Sequence, residues 1–309
     1  MALLEVSGMT ISFLQYGKRM RTIVSETIRN LSVTADAGQV TAIVGASGSG
    51  KSLLAHAIMG ILPDNARVSG TVIYDDSPLD AKRLDRLRGR EIALIPQSVN
   101  HLDPLMRVGA QVRITAGGGA LPVSRMRDIF RRLRLSERVE RLFPHQLSGG
   151  MARRVLVSTA MAGGGARLVI ADEPTPGMQA EDAAQAMSML RELADQGAAV
   201  LLITHDIEAA LQVADRVAVF YAGTTIEIAA AEDFTGDGNR LRHPYSRALW
   251  RALPRNGFIR LPVSSFAEDL LTISCPFAPS CGIATQICKE RMPAVQRLRG
   301  GEARCHHAT

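Results

Sequence analysis

Aromatic residues are scarce in this sequence, 4% of 309 residues with a single tryptophan. That scarcity argues against the stacking platforms on which nucleic-acid bases are held, and no nucleic-acid partner is expected. Long apolar runs are missing too. Ala198 to Phe220 comes closest to the ~18–20 residues of a membrane span, but His205, Asp206, Glu208, Asp215 and Arg216 interrupt it. The opening Met1-Ala2-Leu3-Leu4-Glu5-Val6 has no basic stretch followed by a long apolar one, so no signal peptide is expected and the cytosol is the expected location. Any membrane role should then come through a partner. Cysteine is limited to four residues, and disulfides are not expected in a cytosolic chain. There are no internal repeats.

The remainder is ordinary for a globular protein, with 46% hydrophobic and 21% charged residues, enough for one large domain and an appendage. The net charge is +6. Two arginine clusters (Arg131, Arg132, Arg134, Arg138, Arg141; and Arg240, Arg242, Arg247, Arg251, Arg255) read as solvated helix faces. The basic balance fits an anionic membrane face better than nucleic acid.

The most telling stretch is Gly45-Ala46-Ser47-Gly48-Ser49-Gly50-Lys51-Ser52. It lies between Val40 to Val44, which reads as a buried parallel strand, and Leu53 to Met59, which reads as a helix. That is the context in which Gly-x-x-x-x-Gly-Lys-Ser cradles phosphates. The glycines let backbone N–H groups converge on an anion, and the helix start adds its positive dipole end. Lys51 reaches the outer phosphates, and the Ser52 hydroxyl suits Mg²⁺. A nucleoside triphosphate is the expected ligand.

Leu3 to Val6, Met9 to Phe13 and Leu31 to Thr34 predict an antiparallel β layer ahead of this loop. Strands are expected at Thr71–Tyr74 and Ile92–Ile95, with a short basic helix over 81–88 between them. Residues 98–160 turn helical, broken by Gly117-Gly118-Gly119, and read as an inserted helical subdomain. Strands at 168–171, 199–203 and 217–220 then alternate with helices over 180–196 and 207–214. That alternation predicts a parallel sheet covered on both faces. After about residue 235 periodicity weakens, and residues 236–309 read as a small appendage.

Asp172 and Glu173 end an apolar strand. Hydrolysis needs Mg²⁺ held at the phosphates and a group that deprotonates water, and these two suit the metal and the general base respectively. Leu147-Ser148-Gly149-Gly150-Met151 opens a second helix whose N-terminus suits an anion. One nucleotide does not need two such ends, so a dimer is expected, with Ser148, Gly149 and Gly150 covering the γ-phosphate held by the other subunit.

Residues 1–235 resemble the ATP-binding subunits of ABC transporters. Gly45 to Ser52 is similar to Walker A, Gln97 to the Q-loop, Leu147 to Met151 to the signature, Leu168 to Glu173 to Walker B and His205 to the switch histidine. The resemblance implies an α/β P-loop ATPase with an antiparallel β subdomain and a helical subdomain. It implies ATP and Mg²⁺ as ligands, Gln97 linking the nucleotide and its metal to the membrane partner, and His205 contacting the γ-phosphate. It also implies an N-terminal aromatic on adenine: Phe13 is the first choice and Tyr16 the second, and either is equally a core residue.

His243-Pro244-Tyr245-Ser246-Arg247-Ala248-Leu249, Pro144-His145-Gln146 and the Gln97 to Leu102-x-Pro104 spacing resemble the peptide and nickel importer ATPases. The expected function is therefore the energising subunit of an importer for peptides, nickel or a metal chelate. It would sit on the cytoplasmic side of the cell membrane, held by two permease subunits and served by an extracytoplasmic substrate-binding protein. Cys275, Cys281, Cys288 and Cys305 follow with C-x5-C-x6-C-x16-C spacing, which suits a soft metal. The resemblance implies a four-iron iron–sulfur cluster; zinc, with His306 and His307 nearby, and four reduced thiols in a small core are the rivals.

Two positions depart from the family pattern. Gln179 stands where the D-loop aspartate is expected, and Arg153 where a glutamine is common. Both point to a heterodimer with a second, different ATPase, with a homodimer as the alternative. The competing function is a non-transport ABC ATPase that scaffolds a metabolic complex, as in phosphonate degradation; intact Gln97 and the cysteine tail favour transport.

Overall fold

The computed structural model describes residues 2–16, 22–46, 48–114, 120–163, 165–259 and 274–309. Ser47 and the Gly117–Gly119 loop lie outside the described residues. Strands β1 (Ala2–Tyr16) and β2 (Thr22–Asp36) run antiparallel. The expected strands Leu3–Val6 and Met9–Phe13 are in fact one. The register slips between Val6 and Met9, where Gly8 adopts φ +60°, so the strand bulges and continues. After β3 (Val40–Gly45) and α1 (Lys51–Ile58), β4 (Ala66–Tyr74) and β5 (Ser77–Pro78) complete a four-stranded sheet of order β2-β1-β4-β5.

The second sheet begins with β3. Helix α2 (Ala81–Leu87) is capped by Asp80, whose side chain accepts from the Arg83 N–H, and leads into β6 (Ile92–Ile95). Helices α3 (Val108–Ile114), α4 (Val123–Arg132) and α5 (Gly149–Ala162) form the inserted helical layer. Then come β7 (Leu168–Asp172), α6 (Ala180–Asp195), β8 (Ala199–Ile203), α7 (Ile207–Leu211), β9 (Arg216–Tyr221) and β10 (Thr224–Ala230). The tail holds α8 (Pro244–Arg251), α9 (Gln286–Glu290), β11 (Val295–Leu298) and β12 (Gly301–Arg304).

The sheet order is β11-β12-β10-β9-β3-β8-β7-β6. The five strands from β9 to β6 are parallel, as the alternation of strands and helices predicts, and beyond β9 the sheet continues with antiparallel strands that carry no such signal. Ala222 and Gly223 both take positive φ and form a two-residue hairpin between β9 and β10, and β12 and β11 add antiparallel beyond it.

Side chains of the central strands alternate faces. Val40, Ala42 and Val44 enter the core beneath the helical layer, with Val200 and Leu202. Ile43, with Leu201 and Ile203, enters the core shared by α1 and the antiparallel sheet. Burial on both faces explains the continuous apolar runs. Arg242 was expected on a solvated face but is almost wholly buried. It donates to the Asp233 carboxylate at 2.9 Å and the Leu298 carbonyl at 2.6 Å, and lies 3.5 Å from Glu227, so it clamps the tail to β10. A lone cation in an arginine-rich stretch gives no sign in sequence of two buried carboxylates that await it.

Candidate active site

The loop after β3 turns because Gly45 allows it. A Cβ there would lie 2.3 Å from the Phe220 carbonyl oxygen of the paired strand β9. Gly50, at φ +91°, begins α1. Lys51 is buried, and its ammonium donates to the carbonyls of Gly45 and Ala46, both at 2.9 Å. Burial lowers its pKa, while the Glu173 and Asp172 carboxylates oppose that shift. The Ser52 hydroxyl donates to Asp172 Oδ1 at 3.1 Å. Asp172 Oδ2 is buried and has no hydrogen-bond partner, and burial raises the pKa of this carboxyl. A hydroxyl and a carboxylate with one free buried oxygen form a hard-oxygen pair that fits Mg²⁺.

Glu173 is 6% exposed and adopts φ +47°, a region that side-chain-bearing residues seldom occupy. Its backbone N–H donates to the Ile203 carbonyl at 2.8 Å. Both its carboxylate oxygens lie 2.9 Å from His205 Nδ1. Thr204 Oγ1 is 3.5 Å away. His205 is positioned because β8 ends at Ile203 and Asp206 caps α7 by accepting from the Ala209 N–H. A cavity of about 360 Å³ is lined by Thr27, Gly48, Gly50, Lys51, Ser52, Leu53, Gln97 and Glu173; Asp172 and His205 are not among its lining residues. Thr27 and Leu53 carry no motif that sequence reading could have used.

Phe13 does not line this cavity among the described residues; it is half-buried against the core beneath the antiparallel sheet. The Tyr16 side chain lies outside the described residues. Ser148 caps α5 by accepting from the Met151 N–H at 3.3 Å. Ser148 and Gly149 are exposed, and neither they nor Gly150 line the cavity. A Cβ on Gly150 would stand 3.3 Å from the Gly177 carbonyl, so the loop at Gly177 abuts the start of α5. Gln179 heads α6 without a side-chain cap.

The tail touches the same region. Tyr245 stacks near Tyr221, with ring centroids 4.2 Å apart. Burial pushes its phenol up to about 12, against a hydrogen bond from the Ala46 backbone. Phe277 meets both tyrosines edge-on. Beyond it lie the cysteines. Burial pushes the Cys275 thiol up to about 11 and raises those of Cys281 and Cys305. Among the described residues no group of three or more His, Cys, Asp or Glu side chains is arranged to hold a metal ion. As placed, these residues do not fit an iron–sulfur cluster or zinc.

Parallel strands with a phosphate loop at the end of one, two carboxylates at the end of another and a helical insertion define an ATP-binding cassette. The dimeric bacterial ABC transporter cassette MJ0796 shares this fold, with a TM-score of 0.64 at 24% identity over 74% of this chain and 98% of that one. The model of the ABC transporter family matches residues 28–176, and that of the oligopeptide/dipeptide transporter C-terminal region matches 226–288. The oligopeptide transport ATP-binding protein OppD of Salmonella typhimurium is 34% identical, over 94% of this chain and 89% of the relative. The dipeptide transport ATP-binding protein DppD of Escherichia coli is 32% identical, over 99% and 97%. The chain belongs to the ABC transporter ATP-binding subunits of the oligopeptide/dipeptide family. It is an ABC-type ATP hydrolase, and its family implies permease partners in the membrane. No helix among its described residues is long and apolar enough to cross a membrane.

Proposed function

We propose that this chain hydrolyses ATP to drive import of peptides across the cytoplasmic membrane. The relatives named for oligopeptide and dipeptide transport match nearly its full length, tail included. That coverage carries the reading, favours peptides over nickel as cargo, and leaves the scaffolding alternative without support. The chain would sit on the cytoplasmic face, bound to two permeases, with a substrate-binding protein outside.

The residue roles belong to the same proposal. Residues 45–52 cradle the phosphates, and Lys51 leaves its loop carbonyls for the outer phosphate oxygens. Ser52 and Asp172, with Gln97 at the cavity wall, would hold Mg²⁺, which supplies charge neutralisation at the phosphates when bound. Glu173 takes the proton from the attacking water. His205, on both carboxylate oxygens, orients that base, and its exposed ring would contact the γ-phosphate. Ser148 and Gly149 face solvent and, with the half-buried Gly150, would complete the site of a partner ATPase. The uncapped Gln179 supports a partner of different sequence. Residues 1–235 act as the cassette, with 98–160 as its helical part, and 236–309 as an extension that shares its sheet. Closure of the pair on two nucleotides would switch the permeases between access states, and hydrolysis would reset them.

For the four cysteines, the C-x5-C-x6-C-x16-C spacing of Cys275, Cys281, Cys288 and Cys305 is the one ground for proposing a shared soft metal, iron–sulfur or zinc, against a placement that forms no such ligand group. No step of the cycle passes through it. Iron and zinc analysis of freshly prepared protein tests it, and absence of both ends it.

The functional test is uptake of labelled peptide by vesicles holding the purified assembly. Glu173→Gln should retain ATP binding and abolish both hydrolysis and uptake. Surviving hydrolysis would remove Glu173 as base; ATP-driven hydrolysis with no peptide uptake would remove the cargo.

A further inference from the structure

We propose that Arg153 is a positioning residue that ties the helical layer to the hydrolytic carboxylate; this rests on Glu173 being the base. Arg153 stands on α5, the helix that Ser148 caps. Its Nη1 donates to the Gln97 carbonyl at 2.6 Å and to the Glu173 carbonyl at 2.8 Å. One guanidinium nitrogen thereby joins three segments: helix α5, Gln97 in the loop that follows β6, and the end of β7.

The need for such a tie follows from the Glu173 backbone. At φ +47° this residue sits where an L side chain is strained, and such a conformation persists only when its surroundings hold it. Its N–H is held by the Ile203 carbonyl at 2.8 Å. Its C=O is held by Arg153. With both flanking peptides fixed, the direction of the carboxylate toward His205 is fixed as well. A guanidinium suits this task because one nitrogen offers two hydrogens in a rigid plane. The side chain accepts a cost to do it, since Arg153 Nε is buried without a partner. An apolar residue would fill the same space without that cost.

The consequence is mechanical. Helix α5 cannot shift against the parallel sheet without carrying the Gln97 and Glu173 carbonyls along or breaking both bonds. The clamp therefore makes the aim of the base depend on where the helical layer stands. The glutamine common at this position in the family has a shorter reach and a neutral donor, so the linkage is a property of this chain's own arginine.

The experiment uses the full chain in its purified ATPase–permease assembly, comparing Arg153→Met, Arg153→Lys and Glu173→Gln. We expect Arg153→Met to lower kcat about tenfold with the KM for ATP within about twofold, because misplacement of a catalytic group by about 1 Å costs up to ~100-fold. Arg153→Lys should restore most of the loss, since an ammonium still donates to carbonyls. Thermal unfolding of each variant is measured alongside. Wild-type kcat in Arg153→Met overturns the proposal, as does a raised KM with kcat spared. Equal loss in Lys and Met variants accompanied by equal loss of thermal stability also overturns it, showing a packing role. If Glu173→Gln still hydrolyses ATP, the base assignment fails; if it is inert while Arg153→Met is unaffected, only the clamp fails.

Discussion

Acid should weaken this fold through one histidine. His243 is buried, and burial, with the nearby Arg247 cation second, lowers its pKa from 6.5 to about 3. Its Nδ1 accepts the Tyr245 N–H at 3.0 Å and so caps α8, while its Nε2 is buried without a partner. Phe277 lies beside the ring at 6.0 Å, and Glu227 accepts from the His243 backbone N–H. The native ring is therefore neutral over a range where the unfolded chain binds a proton. The unfolded state then holds more protons, so stability rises with pH. The contribution is complete above about pH 6.5 and is lost as pH falls toward 3. Each unit in that window costs about 1.4 kcal/mol, and the fall from about pH 7.5 to about pH 5 costs about 2 kcal/mol. Urea unfolding at those two pH values measures it. In His243→Asn an amide oxygen keeps a capping acceptor but cannot titrate. Carboxylates contribute equally to both proteins, so the wild type should lose about 2 kcal/mol more than the variant between the two pH values. Parallel losses in the two proteins would refute the reasoning.

Three further outcomes follow from the geometry. Arg242→Met leaves Glu227 buried without its cation and Asp233 with only its Arg240 pair at 3.2 Å, and should lower stability by about 3 kcal/mol in the same urea measurement. Gln179→Asp gives α6 the side-chain cap it lacks and should raise stability by about 1 kcal/mol. Gly45→Ala places a Cβ 2.3 Å from the Phe220 carbonyl and should disturb the β3–β9 pairing, seen as loss of both thermal stability and ATP binding.

The cassette was legible because its parts are local. The phosphate loop needs glycines at fixed offsets, and buried parallel strands read as unbroken apolar runs, so Val40–Gly45, Leu168–Asp172 and Ala199–Ile203 stood out. The carboxylate pair and His205 stood out because each ends such a run. Strand β10 did not, because its turn is Ala222-Gly223 rather than the Asn-Gly or Asp-Gly that signals a hairpin. Strands β11 and β12 are four residues each and carry no clear alternation. The roles of Arg153 and Arg242 depend on partners 9 to 56 residues away, and no local pattern records those pairings. The aromatic placement is undetermined by motif for the same reason, since what Phe13 packs against is set by a sheet and not by its neighbours in sequence.

The hairpin of β11 and β12 also governs how the protein behaves among its own kind. Strand β10 has seven residues, buried almost throughout, and a chain lacking the hairpin would offer the unpaired backbone of that edge to any passing strand. Here the sheet ends instead in a four-residue strand whose first three residues are exposed, with Arg297 in an ion pair with Glu302. So short and charged a border is a poor template for adding another chain. Residues 295–304 thus serve solubility, and shortening the chain before them should trade a soluble protein for one that associates edge to edge.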